Sequence, residues 1–284
     1  MKNFKDDSDT KSILKECATQ DNNYFVVRAA VQGLAKNFKD DPDTKIWLKE
    51  RATQDDNKSV RRAAVHELAN NFKDDPDTKI WLKERATQDD NWYVRYAAIQ
   101  ELANNFKDDP DTTTWIKECA TQDDNWEVRY AAVQELANNF KDDPDTTIWL
   151  KECATQDDNW DMRRAAVQEL AKNFKDYPDT KSILKERATQ DDDSDVRGAA
   201  VQGLAKYFKY QPELFEIYHQ CAVNDPFERK EEYETNPRRI ALEIIIKQFP
   251  QHDQTLPLLR DRANNDPDEQ VREFAQNKLK QWKE

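Results

Sequence analysis

The chain has 284 residues, 37% of them hydrophobic and 36% charged, with only three glycines and a formal charge of −13. That charge is expected to exclude nucleic acid as a partner, because phosphate binding relies on clustered Lys and Arg. No apolar run approaches the roughly 20 residues of a membrane span, and the opening MKNFKDDSD lacks the charged-then-apolar order of a secretion signal, so no membrane association is expected.

A phenylalanine marks a beat of 34 residues: Phe4, Phe38, Phe72, Phe106, Phe140, Phe174 and Phe208. A fixed period of this length means stacked units, none of which buries its apolar face alone. The expected fold is therefore all-α, an α-solenoid of two-helix repeats. The copies following Phe72 and Phe106 agree at 28 of 34 positions, the mark of recent duplication. The whole of 1–284 reads as one repeat domain. Its regular copies run over about 5–208, a divergent copy over 209–249, and a C-terminal capping copy over 250–284. Cys17, Cys119, Cys153 and Cys221 fall at one repeat position, where other copies carry Arg51, Arg85, Arg187 or Arg262. They read as reduced thiols of a cytoplasmic protein.

Within a unit the first helix, A, opens at the DDPDT signal. Asp75 suits the N-cap, Pro76 the first helical position, and Asp77 the positive end of the dipole. The same signal returns at Pro42, Pro110, Pro144 and Pro178, and more weakly at Pro212. Thr78, Trp81, Leu82, Arg85 and Ala86 share one arc. A QDDN cluster then stops helix A and starts helix B.

In helix B, Val94, Ala98, Ile99, Leu102, Ala103 and Phe106 sweep an arc wide enough for burial on two sides. Arg95 sits near its middle, with equivalents Arg61, Arg129, Arg163 and Arg197. A buried guanidinium needs acceptors, and the recurring candidates are the loop aspartates Asp55, Asp89, Asp123, Asp157 and Asp191. Asp–Arg contacts are expected up the stack, within a unit or to the next. The first copy departs, with Val27 at the Arg position.

The pattern Asp-x-x-x-x-Val-Arg-x-Ala-Ala followed by an apolar helix resembles the HEAT repeat, in the short form named after phycobilisome lyases. The resemblance covers nearly the whole chain and implies a fold, with a B-helix surface lining the concave side, rather than one activity. Tetratricopeptide repeats share the period, but the Gly and Tyr of their first helix are absent.

The pattern loosens past Phe208. PFERKEEYETN (Pro226 to Asn236) adds seven residues, leaving a solvated loop or one that touches a partner. In the last copy Val271, Ala275 and Leu279 keep one side of the arc, while Gln276, Lys280 and Lys283 make the other polar, as a terminal repeat requires. At the other end, Met1 to Lys5 is only the tail of a helix B, and Ile13 and Leu14 have nothing before them to pack on. That leaves the N-terminal repeat as a surface for self-association.

Related repeats occur in enzymes. A di-iron site like that of deoxyhypusine hydroxylase needs several His-Glu pairs, and here only His66–Glu67 resembles one; His66 reads as a surface replacement for the usual Gln. The acidic loops lack the glycine and the terminal Glu of an EF-hand and have capping to do. No metal and no cofactor is expected. Trp92, Trp126 and Trp160 open three successive B helices at the edge of the apolar arc, suited to partial core packing or to an exposed aromatic ladder. Tyr93, Tyr96, Tyr130, Arg62 and Arg164 lie further round, where the repeat demands no burial, and Tyr and Arg dominate contact surfaces. The expected function is a non-enzymatic scaffold binding another protein along its B helices, these eight residues being the candidate contacts. The rival is a bilin-lyase-like enzyme, or a lyase subunit, acting on a phycobilin.

Overall fold

The computed structural model describes residues 8–282, and Phe4, the Met1 to Lys5 stub and Lys283 lie outside them. Among the described residues there are sixteen α-helices, one short 3-10 turn and no strand. No described helix is long and apolar enough to cross a membrane. The chain is an all-α solenoid of consecutive helix pairs, divided into two compact units, Met1–Phe140 and Lys141–Glu284.

In the first unit the A helices are α1 (Ser8–Gln20), α3 (Pro42–Gln54), α5 (Pro76–Gln88) and α7 (Pro110–Gln122). The B helices are α2 (Tyr24–Asn37), α4 (Lys58–Asn71), α6 (Trp92–Asn105) and α8 (Trp126–Asn139). In the second unit the A helices are α9 (Pro144–Gln156), α11 (Thr180–Gln190), α13 (Phe215–Asn224) and α15 (Thr255–Asn265). Its B helices are α10 (Trp160–Asn173), α12 (Ser194–Tyr207), α14 (Pro237–Gln248) and α16 (Glu269–Trp282). Every A helix packs on the B helix after it. In the first unit the B helices also pack on one another in order, more closely than the A helices do.

The boundaries follow from local chemistry. Asp41, Asp75, Asp109 and Asp143 are the N-caps of α3, α5, α7 and α9, each accepting the backbone N–H two residues on, with Pro at the first helical position. Asn57, Asn91, Asn125 and Asn159 cap the B helices in the same way. Each marker phenylalanine from Phe38 to Phe208 ends a B helix, its N–H bonded to the leucine carbonyl four residues back. The opening signal fails at two places. In the second unit Tyr177 replaces the capping Asp, so Pro178 lies in a turn and α11 starts only at Thr180, without a side-chain cap. At Pro212, where Gln211 precedes the proline, the chain makes a 3-10 turn (Pro212–Leu214) before α13.

The core is the expected arc. Val94, Ala98, Ile99, Leu102 and Ala103 are fully buried, as are Thr78, Leu82 and Ala86 of the A helix before them. In α16, Val271 and Ala275 are buried while Gln276 and Lys280 are exposed.

Candidate functional site

The buried arginines are held from two sides. In the first unit Arg95 reaches forward to the next loop, with Nε donating to Asp123 Oδ2 and Nη2 to Asp123 Oδ1, both at 2.8 Å. Its Nη1 turns back to the backbone carbonyl of Asp89 at 2.9 Å. The second unit repeats the arrangement, Arg163 binding both oxygens of Asp191 and the carbonyl of Asp157. Arg197 does the same with Asp225 and the carbonyl of Asp191. So the carboxylate comes from the following copy, and the Asp six residues earlier supplies its main-chain oxygen. Arg61 stands 3.6 Å from Asp89, and Arg129 donates to the carbonyl of Asp123 at 2.7 Å. Val27 occupies the Arg position of the first copy, and the Asp55 carboxylate keeps the contact with Arg51 of its own unit, at 3.4 Å, that Arg187 also makes to Asp191 at 3.3 Å. Asp157 accepts the N–H of Asn159. Hydrogen bonding to Asp123 and Asp191 raises the pKa of Arg95 and Arg163.

The ladder also runs into the divergent copies. Arg238 binds Asp266 at 3.1 Å, and its Nη1 donates to the carbonyls of Asp225 and Phe227. This ties down the inserted loop, which Arg229 and Asn236 anchor further through Asp268. Tyr233 stands out from that loop, 84% exposed.

Two further ladders escape a reading by hydrophobic arc. Lys11, Lys45 and Lys79 of the A helices each pair with the capping Asp of the next one, Asp41, Asp75 and Asp109. Glu67, Glu135 and Glu169 of the B helices are buried. Asn71, Asn139 and Asn173, one turn on, donate to them, and Gln100 of α6 donates to Glu135 at 3.2 Å. The signal for this ladder is the spacing of Gln, Glu and Asn in QELANN, which recurs in α6, α8 and α10. His66 takes the Gln position of this ladder, partly exposed as a replacement for Gln would be, with Nδ1 2.7 Å from Glu101 Oε1. That hydrogen bond raises the pKa of His66 against the opposing effect of burial.

On the B-helix face of the first unit the candidate contacts form a layered cluster. The Arg62 guanidinium of α4 donates to the Tyr93 hydroxyl at 2.7 Å and covers its ring. Tyr93 and Tyr96 of α6 are parallel, their ring centroids 6.3 Å apart, and Trp92 meets Tyr93 edge-on. Trp92 is half-buried, whereas Trp126 of α8 is 48% exposed, with Tyr130 one turn beyond it and half-buried. The second unit carries its own pair: Trp160 is 41% exposed and lies under the Arg164 guanidinium.

These groups can stack, donate and desolvate. Among the described residues no group of three or more His, Cys, Asp or Glu is placed to hold a metal ion. Burial pushes the Cys119 and Cys221 thiols up to about 12, so both stay protonated at neutral pH and act as packing groups.

A comparison with curated proteins gives no match. Among solved structures the chain is similar to the X-ray structure of YibA from Escherichia coli, a structural-genomics target. The two are 19% identical over 96% of this chain and 97% of that one, with a TM-score of 0.48. The family model for HEAT repeats matches residues 2–69, 79–171 and 112–205, more than half of the sequence. By that match, and by the stacked helix pairs it spans, the chain belongs to the HEAT-repeat family.

Proposed function

We propose that the chain is a non-enzymatic scaffold that binds another protein along its B-helix face. HEAT repeats generally serve as protein-interaction scaffolds. The observations that carry the reading are the stacked Arg62–Tyr93–Tyr96 layer and the exposed Trp126 on the next B helix of the first unit. Tyr, Trp and Arg supply most of the energy at protein interfaces, and rings already stacked on one another lose little freedom on binding. The free thiols of Cys17, Cys119 and Cys221 support a reducing, cytoplasmic setting. The 34-residue unit with its Val-Arg-x-Ala-Ala helix supports the phycobilisome-lyase-like type within the family.

Affinity capture from the source cell tests the proposal. One protein should be retained in stoichiometric amount by the native chain. The double variant Tyr93→Ala/Trp126→Ala should hold it at least about tenfold more weakly, the loss of about 2 kcal/mol expected at an interface anchor, with the thermal midpoint unchanged. Retention of the partner at full strength would refute the choice of face.

A further inference from the structure

The repeat pattern breaks at adjacent repeat positions in α12 and α14. Where α10 carries Arg164, α12 carries Gly198, and where the four B helices before it carry Ala97, Ala131, Ala165 and Ala199, α14 carries Ile240. Ile240 Cδ1 lies only 3.1 Å from the place a Gly198 Cβ would take, so the bulky residue is seated on bare backbone. Toward the C-terminal ends of the two helices a groove of about 420 Å³ lies between them.

We infer that this groove receives a short segment of a partner protein that is both acidic and apolar, an inference that deepens the scaffold reading and rests on it. Its apolar lining is Ile240 with Ile244, which replaces the buried Glu135 and Glu169 of earlier B helices. Its rim is basic, with Lys206 and Lys209 from the end of α12 and Lys247 from α14, all exposed. Glu243 is the carboxylate that also lines it, leaving an excess of positive charge on a chain whose formal charge is −13. The central copies carry Asn70, Asn104 and Asn138 at the positions of Lys206 and Lys247, whereas Lys36 and Lys172 keep the charge in α2 and α10, so it is the apolar Ile240 and Ile244 beside these lysines that set this groove apart.

Tyr210 is the second observation. It takes the place of Asp74, Asp108, Asp142 and Asp176 in the earlier copies. Its φ of 59° makes it the non-glycine residue with left-handed backbone among the described residues. A bulky side chain pays conformational free energy to sit there, and such strain persists only where neighbours impose it. Gln248 of α14 does so: its amide accepts the Tyr210 N–H at 3.3 Å and donates to the Ala205 carbonyl at 2.7 Å. The clasp leaves the ring 65% exposed at the groove. An aromatic edge, an apolar lining and three ammonium groups complement an extended segment that alternates carboxylates with large apolar side chains.

Fluorescence anisotropy on the full chain tests this. The probe is a short fluorescein-labelled peptide of alternating glutamate and leucine. Controls are a lysine–leucine peptide, a glutamate–serine peptide and a single-stranded oligonucleotide. The glutamate–leucine peptide should bind best, and more weakly as salt is raised. Lys206→Glu/Lys247→Glu should weaken it roughly tenfold or more, and Ile244→Ala should weaken it with circular dichroism unchanged. The inference is overturned if the glutamate–leucine peptide does not bind, if both variants bind it as the native chain does, or if a control binds equally well. Tyr93→Ala/Trp126→Ala separates this inference from the scaffold reading. If that variant loses the captured partner while the peptide fails to bind, the groove inference falls alone. If the peptide binds at the groove while that variant keeps its partner, the choice of B-helix face falls and the groove stands.

Discussion

At Arg163 one guanidinium collects Asp191, Asp192 and the carbonyls of Asp157 and Asp158. Burial opposes the charge on Asp191, but the hydrogen bonds from Arg163 and the Asp193 N–H, together with the Arg163 charge, outweigh it and hold the carboxyl below the usual range. Removing one member of such a buried pair strands the other. Arg163→Leu should therefore cost about 3–5 kcal/mol in urea unfolding, and the double variant Arg163→Leu/Asp191→Leu should recover part of it. A loss below about 0.5 kcal/mol from the single change would show that the pair adds little to stability. Lys151–Asp179, with the Asp side chain 70% exposed, is the contrast, and Lys151→Ala should cost under about 1 kcal/mol. His66 gives a pH signature. Its folded pKa is raised by Glu101 above the ordinary value of about 6.5. The stability it contributes is thus fully present below that ordinary value and is lost as pH rises through the raised one. The native chain should lose stability above about pH 6.5 relative to His66→Gln, which carries the residue of the other copies. An imidazole titrating at or below the ordinary value by NMR would contradict this.

The helix boundaries show what a capping residue decides. Four A helices begin at Asp-Pro, and α11, with Tyr177 in the Asp position, begins two residues late. Tyr177→Asp should move the start of α11 back to Pro178, seen as helical chemical shifts at Asp179. The new cap adds about 1 kcal/mol, offset by loss of the Phe174–Tyr177 ring contact, so stability should change by less than about 1 kcal/mol. Unchanged shifts would mean that packing rather than capping sets the boundary. This is also where sequence reading is strongest. The 34-residue beat, the Asp-Pro openings and the Val94–Ala98–Leu102 arc all report local chemistry. The donors and acceptors of the ladders are harder to read. Arg95 needed an acceptor on its own helix pattern, yet whether Asp89 or Asp123 supplies the carboxylate depends on how two copies stack. Glu135 lay among polar residues of QELANN, and only the approach of α6 to α8 buries it. The Tyr210 turn has no signal beyond the loss of the usual Asp, since the strain comes from Gln248, 38 residues away.

Across each unit the copies do two things with one sequence. Apolar arcs and arginine ladders hold successive pairs together, and stability in such an array is a sum of unit and neighbour terms. The residues left outside those contacts can then vary: Tyr93 becomes Glu127 and Asp161 in the following copies, and Asn138 becomes Lys172 and Lys206. Two apolar surfaces result in the first unit. One is the B-helix layer of Arg62, Tyr93, Tyr96 and Trp126. The other is on the A helices, where Ile46 and Ile80 are 65% and 59% exposed. Partner binding is proposed for the first, because its rings are already stacked and its residue types are those of interface anchors. Hydroxyl-radical footprinting of the chain, alone and with its captured partner, compares the two surfaces directly. Tyr93 and Trp126 should become protected while Ile46 and Ile80 keep their reactivity; protection of Ile46 and Ile80 with Trp126 still reactive would contradict binding on the B-helix face.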